Sequence, residues 1–384
     1  MTSASNNPGA PPSHATVALV KRESGSNFVA SADNDELKAH EFIKVVARAH
    51  VAHLRAKYHH RLDQFEVNTG NKHALDCRAG KHYGSEVLHP QEKEALWTGQ
   101  FAVGTPPVLL QMDLDTGSSD TFAFPKFYDP AKSSTAKRTS KSFSLHYGDG
   151  THARGDVYEE SVRIAGLTAQ HQAFGVATEN TLDTSDSQGM AGMAFESIAS
   201  SKSLPFFQTM MKQGVLAQSV FCFGLWSKHA RFDLGYAARE AYEGEFAWSK
   251  VDPSHGFWTT SFNVGGVDGT TMIVGPGEAI KKIAQESNCY IKEEDGTVYL
   301  IYEHDKPPQL TLTFNGTTFT ISAENLAFQR HGNLVVSGIV GADMGLGQDA
   351  WVVGDTFLKG VYACFDVGGM RVGFAPKAGE GKAE

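Results

Sequence analysis

From residue 97 onward, apolar and polar residues alternate over short stretches that are separated by Gly, Pro, Asn and Asp. This pattern predicts many short β-strands and few helices. The stretches 143–147 and 157–164 lie on either side of Gly148-Asp149-Gly150. An Asp-Gly turn between two such stretches predicts a β-hairpin.

Two acidic turns stand beside apolar runs. The run 109–114 ends at Asp115-Thr116-Gly117, and Asp268-Gly269-Thr270 precedes a second apolar run. Each acidic turn is followed, at a similar separation, by an apolar-apolar-Gly element, at 190–192 and at 352–354. A repeat on this scale predicts two related, mostly β lobes that face one another across a cleft.

Helical periodicity is limited within this β-rich part of the chain. Apolar residues recur at helical spacing in 200–216, and a second helix is predicted at 278–285. The segments 361–365 and 371–374 read as a final pair of strands.

Six motifs together resemble the fungal branch of the pepsin-like aspartic endopeptidases over residues 97–376. They occur in the order typical of that family, at 101–107, 114–120, 147–150, 172–177, 352–358 and 371–376. The resemblance implies a bilobal acid protease fold. It also implies hydrolysis of peptide bonds at acid pH by a water molecule that Asp115 and Asp268 activate.

The resemblance assigns chemical roles to both acids and to their neighbours. Two carboxylates held close in a cleft share one proton. One therefore removes a proton from water while the other protonates the developing oxyanion or the leaving amine. Thr116 and Ser118 are expected to orient the pair, and no metal or organic cofactor is required. The expected substrate-binding residues are Tyr147, Gly148, Asp149, Gly117 and Thr270.

The chain departs from the family pattern at three places. Phe122 stands where the family usually has a Trp that hydrogen-bonds the flap tyrosine, here Tyr147. The hydroxyl residue expected between Asp268 and Gly269 is missing. A hairpin's worth of residues is also missing between Gly265-Gly266 and Asp268. An error of about 1 Å in the position of a catalytic group can reduce the rate about 10²-fold.

These departures leave three explanations open. The sequence derives from an incomplete gene model of an active enzyme, or the protein is an inactive homologue that at most binds peptides, or Asp268 reaches its partner after local rearrangement. The leading hypothesis is an acid-active endopeptidase, and the alternative is the inactive homologue.

The first part of the chain differs in composition. Residues 1–14 are polar and Pro-rich and predict disorder. In 36–63 apolar residues have helical spacing, and six Lys and Arg outnumber three acids, for a net charge of +3 against −12 elsewhere. This segment resembles the family's propeptide. The expected units are a leader (1–14), a propeptide (15–91), two lobes (92–245 and 246–378) and a tail (379–384).

Composition and charge indicate which kinds of molecule the protein binds. The net charge of −9 argues against nucleic-acid binding, and no apolar run is long enough to span a bilayer. Four widely spaced cysteines show no metal-binding spacing, and they are either disulfide partners or buried thiols. We expect a monomer that acts on protein or peptide substrates. The family is secreted or vacuolar, although no signal peptide is visible here.

Overall fold

The structure, a computed structural model, describes residues 13–17, 84–91, 96–146, 152–182, 187–226, 230–262, 273–343 and 350–378. Within these residues the chain is mostly β-strand, as the sequence predicts. No helix among them is long and apolar enough to cross a membrane.

The strands are numbered in chain order. They are β1 (Ser13–Val17), β2 (Gly84–Val87), β3 (His89–Gln91), β4 (Leu96–Val103), β5 (Val108–Asp115), β6 (Thr121–Ala123), β7 (Lys137–His146), β8 (His152–Ile164), β9 (Leu167–Asn180), β10 (Gly189–Gly192), β11 (Val220–Gly224), β12 (Arg231–Leu234), β13 (Ala247–Asp252), β14 (Thr259–Phe262), β15 (Ile273–Gly275), β16 (Tyr290–Glu294), β17 (Thr297–Glu303), β18 (Leu310–Phe314), β19 (Thr317–Ile321), β20 (Ala327–His331), β21 (Leu334–Ala342), β22 (Ala350–Val353), β23 (Val361–Asp366) and β24 (Arg371–Pro376).

The α-helices are α1 (Phe206–Lys212), α2 (Gly277–Glu286), α3 (Ala323–Leu326) and α4 (Asp355–Leu358). Short 3₁₀ segments occupy Pro130–Lys132, Glu196–Ile198, Arg239–Ala241 and Pro253–His255.

Two large sheets share one arrangement at their centres. The first sheet has the order β3-β4-β5-β10-β6-β9-β8-β7. The second contains the run β14-β1-β22-β15-β21. Within β4-β5-β10-β6-β9 the successive pairings are antiparallel, parallel, antiparallel and parallel. The run in the second sheet repeats those directions. The two lobes are therefore built on the same plan, which confirms the predicted bilobal β fold.

A third group of strands joins the lobes. Strand β13 continues the second sheet through β24, β23 and β11 to β12 and β2. Every residue of Val361–Asp366 is buried, as expected for a strand covered on both faces. Aromatic rings fill the interior, with Phe221 stacked on Phe365 at 4.9 Å and Trp258 meeting Phe365 edge-on at 5.0 Å. This packing makes the joining sheet part of the hydrophobic core.

Most predicted elements are confirmed, with one clear difference in length. The hairpin, the final strand pair and α2 lie where the sequence places them. The helix predicted at 200–216 spans only Phe206–Lys212. Its early start was wrong because Pro205 restricts the residue before it to extended backbone, and a proline tolerates only the beginning of a helix. Within the described residues, Cys222, Cys289 and Cys364 are free thiols.

A buried acid anchors the joining sheet. Asp233 is 0% exposed and accepts hydrogen bonds from Arg231 Nε at 2.8 Å and Nη2 at 2.9 Å. The Tyr362 hydroxyl donates to the same carboxylate. Burial of Tyr362, with the nearby Cys222 and Asp233, raises the pKa of that phenol far above its usual value, so it remains a donor.

Replacing Arg231 by Met is expected to lower the free energy of unfolding by about 3 kcal/mol, because a buried charge would lose its partner. Chemical denaturation measures the change. The exposed pair Arg154–Glu179 offers a matched control, and Arg154→Met is expected to change stability by less than about 1 kcal/mol. Equal losses in both variants would contradict the importance of burial at Asp233.

Candidate active site

Asp115 is the last residue of β5, at the centre of the first sheet. Its strand lies between β4, which is antiparallel to it, and β10, which is parallel. Leu110, Met112 and Leu114 of this strand are buried, and Asp115 itself is only 1% exposed. The sheet thus presents one carboxylate from the end of a buried strand.

Backbone groups hold the turn after Asp115 in place. The Gly117 N–H donates to Asp115 Oδ1 at 2.9 Å, and the Met193 N–H donates to the Asp115 carbonyl at 2.8 Å. The Ala194 N–H binds the Ser118 carbonyl at 2.8 Å. An N–H aimed at a carboxylate stabilises its ionised form. The turn is consequently fixed to the end of β10 on one side and to its own acid on the other.

The turn and β10 approach closely at Gly192. A Cβ atom at that position would lie 2.5 Å from the Ser119 carbonyl carbon. Any larger residue would separate β10 from the turn that carries Asp115. The apolar-apolar-Gly element of the sequence therefore ends in Gly for a steric reason.

The two residues predicted to orient the acids lie in this turn. Thr116 and Ser118 are fully buried. The Ser118 N–H donates to the Asp115 carbonyl at 3.4 Å, and its hydroxyl donates to Met190 Sδ at 3.4 Å. Their action on a pair of acids stays a prediction, as does the contact of Gly117 with substrate.

Sequence reasoning missed a structural acid at the end of the same motif. Asp120 is buried and accepts hydrogen bonds from the Ser200 N–H at 2.8 Å and the Ser201 N–H at 2.9 Å. It therefore ties the turn that follows Asp115 to the loop before α1. The only signal available was an acid that follows Ser119 before an apolar strand.

Replacing Asp120 by Ala is expected to reduce the free energy of unfolding by about 3 kcal/mol, because two buried N–H groups lose their acceptor. Asp120→Asn keeps one acceptor oxygen and should lose about 1 kcal/mol. Urea titration of the two variants measures the difference. An Ala variant as stable as the wild type would show that water replaces the carboxylate without loss.

The predicted flap hairpin is present. Strands β7 and β8 pair from Lys137 with Glu159 to His146 with His152. Tyr147, Gly148 and Asp149, which follow β7 in sequence, lie outside the described residues. Their contact with substrate stays a prediction.

Phe122, seven residues after Asp115, packs against the β7–β8 hairpin. It is fully buried, and its ring lies 5.1 Å from that of Phe143 on β7. Apolar packing therefore occupies the place where a Trp would offer an N–H donor.

Asp268 and Thr270 also lie outside the described residues. Strand β15, which follows them in sequence, still allows the length of the two acid-containing segments to be compared. Phe122 of β6 pairs with Met190 of β10. In the second lobe, Val274 of β15 pairs with Val352 of β22. Met190 and Val352 each stand two residues before the glycine that ends their element. Phe122 and Val274 are therefore equivalent positions.

This equivalence supports the length difference inferred from the sequence. Phe122 stands seven positions after Asp115, whereas Val274 stands six positions after Asp268. The second turn is one residue shorter than the first.

The second lobe contacts the first close to Asp115. The Trp258 indole N–H donates to the Met193 carbonyl at 3.0 Å, and its ring lies 4.8 Å from that of Phe195. Met193 also donates its N–H to Asp115. The lobes thus meet beside the first acid, at the end of the strands where a cleft between them is expected.

Two related β-lobes and a buried acid presented from the end of a central strand are the arrangement expected of the aspartic-type endopeptidases. The model of the family "Eukaryotic aspartyl protease" matches residues 97–377, and the chain belongs to that family.

Named relatives cover most of the chain. "Secreted aspartyl protease 1" of Malassezia globosa is 32% identical over 96% of this chain and 94% of its own length. "Aspartic protease" of Phaffia rhodozyma is 32% identical over 76% of this chain and 79% of its own length. "Penicillopepsin-3" of Penicillium janthinellum is 30% identical over 77% and 82%. These relatives confirm the resemblance to fungal pepsin-like proteases.

Proposed function

We propose that the protein hydrolyses peptide bonds at acid pH through a water molecule activated by Asp115 and Asp268. The observation that carries this proposal is the buried Asp115 carboxylate, which the Gly117 N–H holds at the end of β5. Of the two acids, one removes a proton from the water and the other donates a proton to the oxyanion or the leaving amine. A shared proton requires that the pair be partly protonated, which favours acid pH.

The substrate is a peptide that lies in the cleft between the lobes, beneath the β7–β8 hairpin. Thr116 and Ser118 keep the acids oriented through the turn. The proposed substrate contacts are Tyr147, Gly148 and Asp149 on the hairpin, with Gly117 and Thr270 beside the acids. Phe122 supports the hairpin by packing on Phe143.

An inactive homologue is the second candidate. The shortened turn between Asp268 and Val274 favours it, because an error of about 1 Å in a catalytic position can reduce the rate about 10²-fold. Such a protein would bind peptides in the cleft without cutting them. The same sequence would also result from an incomplete gene model of an active enzyme, in which the hairpin before Asp268 had been left out.

The test is cleavage of a peptide library between pH 3 and pH 7, with and without a statine-type inhibitor. Cleavage at acid pH that the inhibitor blocks supports the endopeptidase. A folded protein that binds the inhibitor without cutting any peptide supports the inactive homologue.

Residues 15–91 are proposed to be a propeptide that is cut from the body of the protein at acid pH, and secretion or vacuolar delivery fits that chemistry. The basic segment 36–63 is attracted to an acidic body at neutral pH. Protonation of carboxylates weakens the attraction, and protonation of the five His in the segment adds repulsion.

Incubation below about pH 4, in the usual range of carboxyl pKa values, is expected to shorten the chain to a product that begins near residue 92. Mass spectrometry over time measures the product. The same incubation at pH 7 is the control. A chain that stays full length at acid pH would contradict the proposed removal.

A further inference from the structure

The second sheet has a strand position that corresponds to that of β5 in the first sheet. In the first sheet β5 lies between β4 and β10 and leads directly into Asp115. The equivalent neighbours in the second sheet are β14 and β22. Only five residues, 263–267, separate the end of β14 from Asp268, and two of them are Gly. This length is too short for a turn and a central strand of about five residues.

The N-terminal strand β1 occupies that position. It pairs antiparallel with β14 and parallel with β22, as β5 does with β4 and β10. The backbone partners are Ser13 with Phe262, His14 with Ser261, Ala15 with Thr260 and Thr16 with Thr259 on one side, and His14 with Ala350, Ala15 with Trp351, Thr16 with Val352 and Val17 with Val353 on the other.

The register shows what this strand replaces. Val17 pairs with Val353, the residue before Gly354, just as Leu114 pairs with Ala191 before its glycine. Val17 thus takes the place of the last residue before the acid. The next residue in sequence is Ala18, which has no carboxyl group. The segment completes the sheet but offers no second acid.

We propose that the gap between β14 and β22 is a binding site for an extended peptide strand, and that Ser13–Val17 is its intrachain occupant. Without an occupant, both neighbours would present unpaired N–H and C=O groups. Addition of a strand satisfies those groups through main-chain hydrogen bonds. Thr260, Trp351 and Val352 are all buried beside the site.

The surrounding sequence suits this role. The segment ends in Thr16 and Val17, both β-branched, and follows Pro11-Pro12, which cannot continue a central strand. The two prolines therefore end the strand at Ser13, the first residue that pairs with β14. The proposal concerns the architecture of the second lobe and does not require catalytic activity.

One consequence concerns processing. The chain between Val17 and Gly84 is long, so a cut within it does not by itself remove β1 from the sheet. A processed protein would then consist of two chains, with the N-terminal fragment held by main-chain pairing. Loss of the fragment would open the centre of the second sheet.

The test uses the full chain with a site for a sequence-specific protease introduced after Asn27, so that the fragment carries β1 without the basic segment 36–63. After the cut, the fragment is expected to co-elute with the body in size-exclusion chromatography at neutral pH, and to separate in denaturant. Ala15→Pro removes a ladder N–H from β1 and should release the fragment and lower the Tm. Ser5→Pro, outside β1, is the matched control and should do neither. Co-elution unaffected by Ala15→Pro would overturn the proposal.

A cross-link keeps the proposal testable if the proline variant does not fold. Cysteines at the register partners His14 and Ser261 are expected to form a disulfide with oxidised glutathione, joining fragment to body on a non-reducing gel. A control pair at Val17 and Ser261 is three residues out of register, about 10 Å along the strand. That distance exceeds the Cα separation of about 4 to 7 Å that a disulfide spans. No link in the first pair, or equal links in both, would contradict the assignment.

Discussion

Asp115→Asn is expected to reduce peptide cleavage at acid pH by at least about 10²- to 10⁴-fold, which is the usual contribution of general acid–base catalysis. An amide has nearly the shape of the carboxylate but cannot exchange a proton with water. The side-chain oxygen can still accept the Gly117 N–H, so the turn should keep its conformation. Initial rates at pH 3 to 5, with the Tm of each variant, measure the effect.

The control is Asp305→Asn, which changes an exposed carboxylate far from the turn in sequence. It has the same charge difference and is expected to leave the rate unchanged. If Asp115→Asn retains the wild-type rate while remaining folded, cleavage in the preparation does not come from this acid.

Inserting Ser between Asp268 and Gly269 is expected to raise the cleavage rate about 10²-fold if the short turn displaces the acid by about 1 Å. The insertion restores seven positions between the acid and the β15 residue that pairs with Val352. It also restores a hydroxyl at the place that Thr116 has in the first turn. Initial rates at the acid optimum compare the insertion with the wild type.

Inserting Ala at the same place separates length from hydrogen bonding. An increase with both insertions attributes the defect to loop length, and an increase with Ser alone attributes it to the hydroxyl. If the wild type is active and neither insertion changes its cleavage rate, Asp268 already reaches its place beside Asp115. If neither produces activity in an inactive wild type, the missing strand and not the turn accounts for the loss.

Much of the fold follows from local sequence signals. The run before Asp115 and the hairpin around 147–151 were predictable because alternation and Asp-Gly turns act over a few residues. The helix at Gly277–Glu286 was predictable because its apolar residues have helical spacing. Within the first lobe, the acid-turn motif also located Asp115 at the end of a buried strand.

Other features depend on contacts between distant residues and have no local signal. Asp120 binds backbone groups eighty residues later, and Asp233 is paired partly by Tyr362 from another strand. The placement of β1 in the second sheet requires knowledge that β14 and β22 lack a neighbour. The sequence does indicate that a hairpin is missing before Asp268, but a predicted disordered leader gives no indication that it fills the gap.

The most direct test of the central proposal is to measure peptide cleavage by the wild type and by Asp268→Asn, side by side at acid pH. If Asp115 and Asp268 act as a catalytic pair, the wild type is expected to cleave peptides in an inhibitor-sensitive manner. Asp268→Asn is then expected to lower the cleavage rate as much as Asp115→Asn does. A folded wild type that cuts nothing, or an Asp268→Asn variant that cuts at the wild-type rate, would contradict it.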